Sequence, residues 1–310
     1  MSTFVSIGNG TQSFSRLLDA VKTIADHLPQ PVVVQHGRTP FFSDDIEHFA
    51  FTDESDFLDR LGKCQIFITH AGGGSVFSAI RLGKKPVVVP RRKAHDEIVD
   101  DHQMAFAEEL ARQRKIEPVY DVAELLDAVA NVIANPHLPP EPEGERPAFA
   151  KIASAITAFA PNTDDPICLV TPSGGHLTEI RALAKIYSAH PHIFVINVPI
   201  VEPQDMQGRT HYLTLSERDW KLALNFWEAY TFLRRERPKV ILTTGGAFSV
   251  AFTIIGKFLG IPTIYIETVA KVNIPTLTGR FMYRLADRFF YQWPQLQKFF
   301  LKGDYIGLIL

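Results

Sequence analysis

Glycine-rich turns between apolar strand patterns and helix patterns constrain this sequence more than any other feature. One turn spans His70–Ser75 and contains three consecutive glycines after the apolar run Ile66–Thr69. Another spans Pro172–His176 after Ile167–Thr171, and a weaker one lies at Thr244–Gly246. Backbone N–H groups at a helix N-terminus favour anions, and glycine lets a phosphate approach the backbone closely. The sequence therefore predicts a phosphate-binding turn in each half of the chain.

Strand patterns alternate with helix patterns along both halves, with short loops between them. This alternation is typical of a parallel, doubly wound sheet, in which ligands bind beyond the carboxyl ends of the strands. The 310 residues, 46% of them hydrophobic, suffice for two such α/β domains of about 150 residues each. A proline-rich segment separates the halves. We therefore predict a first domain over residues 1–134, a linker with one helix over 135–166 and a second domain over 167–310.

One stretch, Val240–Val269, resembles a membrane span in its apolar character, because a spanning helix needs about 20 apolar residues. The apolar run is interrupted by Lys257, by Glu267 and by the helix-breaking segment Gly260–Pro262. These residues favour a strand, a helix and a second strand. We also expect no secretory signal peptide, since a strand pattern begins at Thr3.

The two halves of the chain differ in charge. Residues 1–160 carry 16 basic and 22 acidic side chains, a net charge of −6, whereas residues 161–310 carry 16 and 12, a net charge of +4. A basic second half suits an anionic partner such as a pyrophosphate or an acidic lipid. No basic block indicates nucleic-acid binding. Cys64 and Cys168, far apart and in apolar strand patterns, are typical of buried thiols in a reduced cytosolic protein.

The three-glycine turn is the strongest candidate for a binding site in the first half. Its N–H groups would face a phosphate, and Ser75 is well placed as the N-cap of the following helix. The alternative is a tight turn without a ligand, although glycines are costly there because they lose the most backbone entropy on folding. Further along, Asp101 can cap a helix whose first turn holds His102 and Gln103. The Gln103 amide suits sugar hydroxyls, but an ordinary capped helix explains the pattern as well.

Two residues of the second half are candidates for proton transfer. His176 follows two glycines at a predicted helix N-terminus, which favours the neutral imidazole that a general base requires. A capping or packing role is the alternative for His176. Glu267 ends an apolar strand, where a carboxylate needs a partner or a task. A buried structural pair and a catalytic role are both compatible with that position.

The order of seven short motifs resembles a known pair of transferase subunits. Motifs of the first half resemble the donor-binding subunit of the two-subunit transferases that make dolichyl-pyrophosphate chitobiose in eukaryotes and lipid-linked exopolysaccharide precursors in bacteria; they are Ile68–Ser75, Lys85–Lys93 and Asp101–Gln103. Motifs of the second half resemble the membrane-associated acceptor-binding subunit; they are Ser173–His176, Thr244–Gly246, Tyr265–Thr268 and Gln292–Pro294. Both halves are similar to glycosyltransferase family 28, so the chain looks like a fusion of the two subunits with the donor half first.

The resemblance implies a GT-B fold, in which two Rossmann-like domains face each other across a cleft. It also implies a UDP-sugar donor, inversion at the anomeric carbon, no essential metal or other cofactor, and a polyprenyl-pyrophosphate-linked acceptor. His176 would be the base, with Glu267 as the second catalytic candidate. The donor-binding positions would be Gly8, Asn9, His36, Gly37, His70, Gly72, Gly73, Gly74, Ser75, Arg91, His102 and Gln103. The acceptor-binding positions would be Ser173, Gly174, Gly175, Gly245, Gly246, Asn273 and Arg280.

One position departs from the pattern of the peptidoglycan enzyme of family 28. That enzyme has a glutamate on the helix after its glycine loop, where it holds the ribose hydroxyls, and the nearest position here is Ser78. The ribose contacts of this chain must therefore differ.

Together these expectations describe an inverting hexosyltransferase. It would move a sugar from a UDP-sugar to a polyprenyl-pyrophosphate-linked saccharide in bacterial exopolysaccharide or capsule assembly, without a separate partner subunit. The alternatives are a family 28 transferase with a non-polyprenyl acceptor and a nucleotide-sugar-binding regulator without turnover. The donor sugar stays open among N-acetylglucosamine, galactose, glucose and glucuronic acid.

Because no spanning anchor is expected, attachment to the cytoplasmic face of the inner membrane would be peripheral. The predicted helix Asp219–Arg235 is rich in aromatic residues and ends in arginines, and Leu277–Phe290 places Arg280, Arg284 and Arg288 at four-residue spacing beside apolar residues. Basic amphipathic helices bind anionic bilayers, so we expect docking through these two segments. The alternative is a core-facing helix whose arginines extend to solvent.

Overall fold

The computed structural model describes residues 2–139, 146–197, 206, 209–213 and 222–310, and only the backbone of Leu222 and Ala223. The chain divides into two compact units, Met1–Pro142 and Glu143–Leu310. Each unit is built on one parallel sheet.

The first unit has six described strands in the order β3-β2-β1-β4-β5-β6. They are β1 (Thr3–Ser6), β2 (Val32–Gln35), β3 (Glu47–Phe49), β4 (Ile66–His70), β5 (Val87–Val89) and β6 (Glu117–Pro118). Its helices are α1 (Ser15–Ile24), α2 (Glu54–Lys63), α3 (Gly73–Arg81), α4 (His102–Arg112) and α5 (Leu125–Ala134). The central strands are buried apolar runs, and Val5 and Ile68 share a core cluster with Leu17 and Val21 of α1. Burial on both faces of the sheet explains why these strands read as continuous apolar stretches.

The second unit has seven described strands in the order β13-β12-β11-β10-β7-β8-β9. They are β7 (Ile167–Val170), β8 (His192–Asn197), β9 (Thr210–Leu213), β10 (Val240–Thr243), β11 (Thr263–Ile266), β12 (Arg288–Tyr291) and β13 (Asp304–Tyr305). Its helices are α6 (Pro147–Phe159), α7 (Gly175–Ala182), α8 (Ala184–Tyr187), α9 (Leu222–Glu236), α10 (Ala247–Phe258) and α11 (Leu277–Leu285). Val195, Phe232, Ile241 and Phe252 form a core cluster that joins the sheet to α9 and α10.

The direction of winding reverses once in each sheet. In the first unit the chain runs outward from β1 to β2 and β3 and then returns to β4 on the other side of β1. In the second it runs from β7 to β8 and β9 and returns to β10 on the other side of β7. The loops after β1, β4, β7 and β10 therefore lie at the two switch points, where doubly wound sheets bind ligands. All three glycine-rich turns of the sequence are among these loops.

The predicted α/β class is confirmed for each unit, because each contains a Rossmann-like, doubly wound parallel sheet. Val240–Val269 contains β10, α10 and β11 as predicted. Across the described ranges, no helix combines the length and apolar character that crossing a bilayer requires. The sequence did not reveal β6, β9 or β13; β6 and β13 comprise two residues each, too few for an alternating pattern to develop.

Several local predictions need correction. The helices after the glycine turns begin two residues earlier than their apolar patterns predict: α3 begins at Gly73 and not Ser75, α7 at Gly175 and not Leu177, and α10 at Ala247 and not Ser249. Cys64 is the C-cap of α2 and not part of a strand, although both cysteines are buried and free as expected. Arg288 begins β12, so it does not share a helix stripe with Arg280 and Arg284. Asp219, Trp220 and Lys221 of the predicted helix Asp219–Arg235 lie outside the described residues.

Candidate functional site

At the switch point of the first unit, His70 lies between two glycines. A Cβ atom on Gly8 would lie 2.5 Å from His70 Cε1, and one on Gly72 would overlap His70 Nε2. Gly37 is equally constrained, since its Cβ would lie 2.7 Å from the Gly8 carbonyl oxygen. The structure therefore packs four predicted donor-binding residues closely against one another: Gly8, Gly37, His70 and Gly72.

The His70 imidazole is held in its neutral form. Burial, and after it the nearby positive charge of Arg91, lowers the His70 pKa from 6.5 to about 3. At neutral pH the ring can donate or accept a hydrogen bond but carries no charge. His70 can thus contact a polar ligand, whereas attraction for an anion has to come from backbone N–H groups.

Those N–H groups belong to the first turn of α3. Gly72 is the N-cap residue, in an extended conformation and without a side-chain cap. The prediction of Ser75 as N-cap is therefore wrong; Ser75 lies in the first helical turn with Gly73 and Gly74, and all three are half-buried. The first N–H groups of a helix lack intrahelical partners and attract anions. The turn therefore has the N–H groups that the predicted phosphate site requires, and phosphate binding itself stays a prediction.

Arg91 and Gln103 form a buried hydrogen-bond network that holds the loop after β1. The Arg91 guanidinium donates to the carbonyl oxygens of Ile7, Gln12, Ser13 and Glu97 at 2.8–3.2 Å. It also lies over the Phe14 ring at 4.6 Å. Gln103 Oε1 accepts from the Arg91 backbone N–H at 3.0 Å. Burial lowers the Arg91 pKa to about 10, which leaves the group charged at neutral pH. Both side chains are buried, and these contacts fix the loop that carries Gly8 and Asn9.

Three further predicted donor residues, Asn9, His36 and His102, contact other groups of the first unit. Asn9 Oδ1 accepts from Gln35 Nε2 at 3.4 Å, and His36 Nδ1 lies 2.9 Å from the Thr39 carbonyl. His102 Nδ1 contacts Asp100 Oδ1, which also accepts from the His102 backbone N–H. Asp101 occupies the N-cap position of α4, but its carboxylate accepts from Lys93 N–H, so the predicted side-chain cap is provided by Asp100 instead.

Ser78 is buried within α3. It therefore offers little surface to a ribose.

At the switch point of the second unit, two glycine turns pack against each other. A Cβ on Gly246 would lie 2.5 Å from Pro172 Cγ, and one on Gly245 would lie 3.5 Å from His176 Cε1. Gly174, Gly245 and Gly246 all have positive φ angles, which favour glycine. The predicted acceptor residues Gly174, Gly175, Gly245 and Gly246 are thus brought together with His176, and Ser173 is held by reciprocal hydrogen bonds with Asn197.

Glu267, the second catalytic candidate, lies in the interior of the second unit. It is fully buried, and its carboxylate accepts from Thr276 Oγ1 at 3.0 and 3.1 Å and from the Thr268 N–H at 3.1 Å. Tyr265 Oη lies 3.4 Å away, and Gly279 leaves room for the carboxylate because a Cβ there would overlap Glu267 Oε2. Burial raises the Glu267 pKa to about 7 against the opposing effect of these hydrogen bonds. This environment favours the structural alternative for Glu267.

Sequence reasoning missed a second buried carboxyl, Glu179 of α7. It accepts from Thr268 Oγ1 at 2.5 Å, Val269 N–H at 3.1 Å and Gln292 Nε2 at 2.8 Å. Burial raises its pKa to about 7, and the charge of Glu267 acts in the same direction. One sequence signal was available: Glu179 follows His176 by three residues, so both lie on one helical face with the buried Leu183.

The last two predicted acceptor residues are exposed. Asn273 lies in the loop between β11 and α11, and Arg280 lies on α11. No group of three His, Cys, Asp or Glu residues able to hold a metal ion occurs within the described ranges.

Two known domains match this chain. Residues 4–156 match the glycosyltransferase family 28 C-terminal domain, and residues 214–309 match the Alg14-like domain of oligosaccharide biosynthesis proteins.

Each individual relative is similar to part of the chain. UDP-N-acetylglucosamine transferase subunit ALG13 of Yarrowia lipolytica is 42% identical over 71 residues, which cover 23% of this chain and 33% of that protein. Human subunit ALG14 is 24% identical over 178 residues, which cover 46% of this chain and 82% of that protein. A pyrophosphoryl-undecaprenol N-acetylglucosamine transferase of Nitrosomonas europaea is 32% identical over 100 residues, which cover 32% of this chain and 26% of that protein. The matched part thus spans only a third of the ALG13 subunit.

Proposed function

Because the chain joins a glycosyltransferase family 28 C-terminal domain to an Alg14-like domain, we propose that it transfers a sugar from a UDP-sugar to a lipid-linked saccharide. The single observation that supports this most is that both domain types occur in one chain, which is also similar to ALG13 and ALG14 subunits. The names of those relatives favour N-acetylglucosamine as the donor sugar.

The acceptor that we propose is a polyprenyl-pyrophosphate-linked saccharide of bacterial exopolysaccharide or capsule assembly. Similarity to a transferase that acts on a pyrophosphoryl-undecaprenol substrate supports a lipid pyrophosphate. The net charge of +4 over residues 161–310 favours such an anion. The Ser173–Gly175 and Gly245–Gly246 turns at the second switch point are the proposed acceptor-binding residues.

In the first unit, the α3 N-terminus is the proposed site of the UDP diphosphate. The N–H groups of Gly73, Gly74 and Ser75 supply the hydrogen bonds, and the neutral His70 adds a polar contact without attracting water as strongly as a charged ring would. Arg91 and Gln103 contribute by fixing the adjoining loop.

The proposed reaction is a direct displacement with inversion. An acceptor hydroxyl oxygen attacks the anomeric carbon, the bond from that carbon to the UDP oxygen breaks, and UDP leaves with the bonding electron pair. His176 takes the proton of the attacking hydroxyl as general base. No covalent enzyme intermediate is needed, which agrees with the complete burial of Glu267.

Gly73→Asp tests the donor assignment, and His176→Ala tests the assignment of the general base. Gly73→Asp places a carboxylate in the anion site and should abolish UDP binding in calorimetry. Gly62→Asp, on the exposed surface of α2 where a side chain meets open space, is the matched control and should bind UDP normally.

His176→Ala should bind UDP with unchanged affinity and lose transfer by a factor of ~10²–10⁴, the usual effect of removing a general base. Release of UDP with a lipid-linked acceptor is the assay. Normal UDP affinity in folded Gly73→Asp would exclude the donor site proposed here. Transfer by His176→Ala within about threefold of the unchanged protein would show that His176 is not the base.

A further inference from the structure

We propose that Glu179 is a positioning residue for the acceptor half, which fixes the loop Thr268–Thr276 to the helix that carries His176. This inference rests on the function proposed above. It assigns to Glu179 a role in transfer that no sequence motif suggested.

The contacts of Glu179 connect three separate parts of the second unit. Glu179 itself belongs to α7, one turn after His176. Its carboxylate accepts two hydrogen bonds from the start of the loop, at Thr268 Oγ1 and Val269 N–H, and one from Gln292, which follows β12. The same Gln292 amide donates to the Glu267 carbonyl oxygen at 3.0 Å. One carboxyl group thus couples α7, the loop and the end of β12.

The loop is held at both of its ends. Trp293 Nε1 donates to the Val269 carbonyl at 2.6 Å near the beginning. At the far end, Thr276 donates to Glu267 and caps α11. Between these anchors lie the exposed Asn273 and Ile274. The middle of the loop is therefore exposed to solvent between two hydrogen-bonded ends.

The position of the loop connects it to the proposed chemistry. All strands of the sheet are parallel, so the loop leaves β11 at the same edge from which the glycine turns leave β7 and β10. Gly245 is close to α7 and to β11, because its Cβ would lie 3.5 Å from His176 Cε1 on α7 and 3.4 Å from Tyr265 Oη on β11. Tyr265 in turn contacts Glu267 and Thr276 at 3.4 Å.

A buried carboxyl group can have a structural role, as proposed for Glu267, but the one of Glu179 joins the loop to α7, the helix that carries His176. Burying a carboxyl group costs free energy that an apolar side chain of similar size would avoid. In return, the carboxyl fixes the distance between α7 and the loop with two hydrogen bonds and accepts a third from Gln292. Small displacements of catalytic groups cost a factor on the order of 10² in rate, so loss of this constraint should lower turnover.

The experiment combines hydrogen exchange with kinetics in the full chain. Glu179→Ala removes all three contacts, and Glu179→Gln keeps an acceptor for Val269 N–H. Thr268→Val removes, at nearly constant volume, the hydroxyl that donates to Glu179 and that accepts from Ala270 N–H at 3.3 Å, so exchange at Ala270 itself is left out of the comparison. This variant also covers the case in which Glu179→Ala fails to fold. Thr253→Val is the matched control, since Thr253 is a buried threonine of α10 outside this network.

We expect faster amide exchange across residues 268–276 in Glu179→Ala and Thr268→Val. Their kcat/KM for the lipid-linked acceptor should fall by a factor on the order of 10 to 10², while the KM for UDP-N-acetylglucosamine stays within about twofold. Glu179→Gln should recover most of the acceptor kcat/KM, and Thr253→Val should match the unchanged protein in both measurements.

The outcomes separate this inference from the proposed function. Acceptor kcat/KM within about threefold of the unchanged protein in folded Glu179→Ala and Thr268→Val overturns the positioning role. If the unchanged protein transfers no sugar to any lipid-linked acceptor, the proposed function fails. In that case exchange decides the structural part of the inference: unchanged protection of residues 268–276 in the variants shows that Glu179 does not fix the loop.

Discussion

Between Gly8 and Gly72, the His70 imidazole occupies the space that a side chain on either glycine would need. The two glycines meet this requirement in different ways. Gly8 has a φ of +71°, so conformation and space both favour glycine there. Gly72 has a φ of −89°, which any residue can adopt, so its constraint is the contact with His70.

This difference predicts a compensating pair of substitutions. Gly72→Ala should destabilise the first unit by about 1–3 kcal/mol, because the new methyl group overlaps the imidazole and forces it to move. His70→Ala removes the obstacle, so the double variant should be less unstable than the sum of the single variants implies. Denaturant unfolding of the four proteins measures the coupling.

Gly62→Ala is the control for that cycle, since a Cβ on Gly62 meets nothing within 4 Å. It should be neutral or slightly stabilising, because alanine favours a helix interior more than glycine does. Additive effects of Gly72→Ala and His70→Ala would contradict the packing described here.

The residues of the candidate sites could be predicted only in part. Glycine turns and helix-start positions are local signals, so the turns at Gly72–Ser75, Gly174–Gly175 and Gly245–Gly246 were found. Whether a polar side chain faces a ligand or a carbonyl oxygen depends on contacts distant in sequence. Arg91 contacts Ile7, 84 residues away, and Glu179 contacts Val269, 90 residues away. No local pattern carries such information.

At the scale of elements, most strands and helices followed from periodicity, while their ends did not. The short strands β6 and β13 depend on neighbours in the sheet, and the helices after the glycine turns begin at or beside the glycines themselves. The junction between β11 and α11 was also unpredictable. Thr276 caps α11 through Gly279 N–H at 2.7 Å and also donates to Glu267, so one hydroxyl contacts two elements.

Removal of that hydroxyl should have a pH-dependent effect. Thr276→Val loses the cap, which costs about 0.5–2 kcal/mol, and takes a donor from Glu267. Glu267 has a pKa raised to about 7 by burial, so its contribution to stability is present at low pH and lost as pH rises through that value. Without Thr276 the pKa rises further. The destabilisation caused by Thr276→Val should therefore be larger at pH 8.5 than at pH 5.5.

Thermal unfolding at the two pH values measures this difference, with Thr278→Val in the same helical turn as the control. The control should show no comparable increase with pH. A Thr276→Val effect that is constant between the two values would mean that Glu267 does not depend on this donor.

At the scale of the whole molecule, the exposed surface of the second unit combines apolar and basic side chains. On α11, Leu277 and Phe281 are 52% and 62% exposed, beside the exposed Arg280 and Arg284. On α9, Trp227 is 67% exposed. Tyr230 accepts from Arg234 Nη1 at 3.0 Å on the same helix. Both helices pack against α10. Exposed aromatic residues next to arginines are typical of surfaces that dock on anionic membranes.

Reversible docking on anionic vesicles is therefore the expected behaviour of the full chain. Each cation near an anionic leaflet contributes about 1 kcal/mol, and Arg280→Glu/Arg284→Glu both removes that attraction and introduces repulsion. The partition constant measured by vesicle flotation should fall by a factor on the order of 10²–10³. Lys22→Glu/Arg114→Glu, an equal change of charge on exposed residues of the first unit, is the control and should still float. Binding of the unchanged protein should weaken at high salt, because counterions screen the attraction. Retention that persists at high salt and needs detergent for release would contradict docking by charge and would instead indicate insertion of an apolar segment.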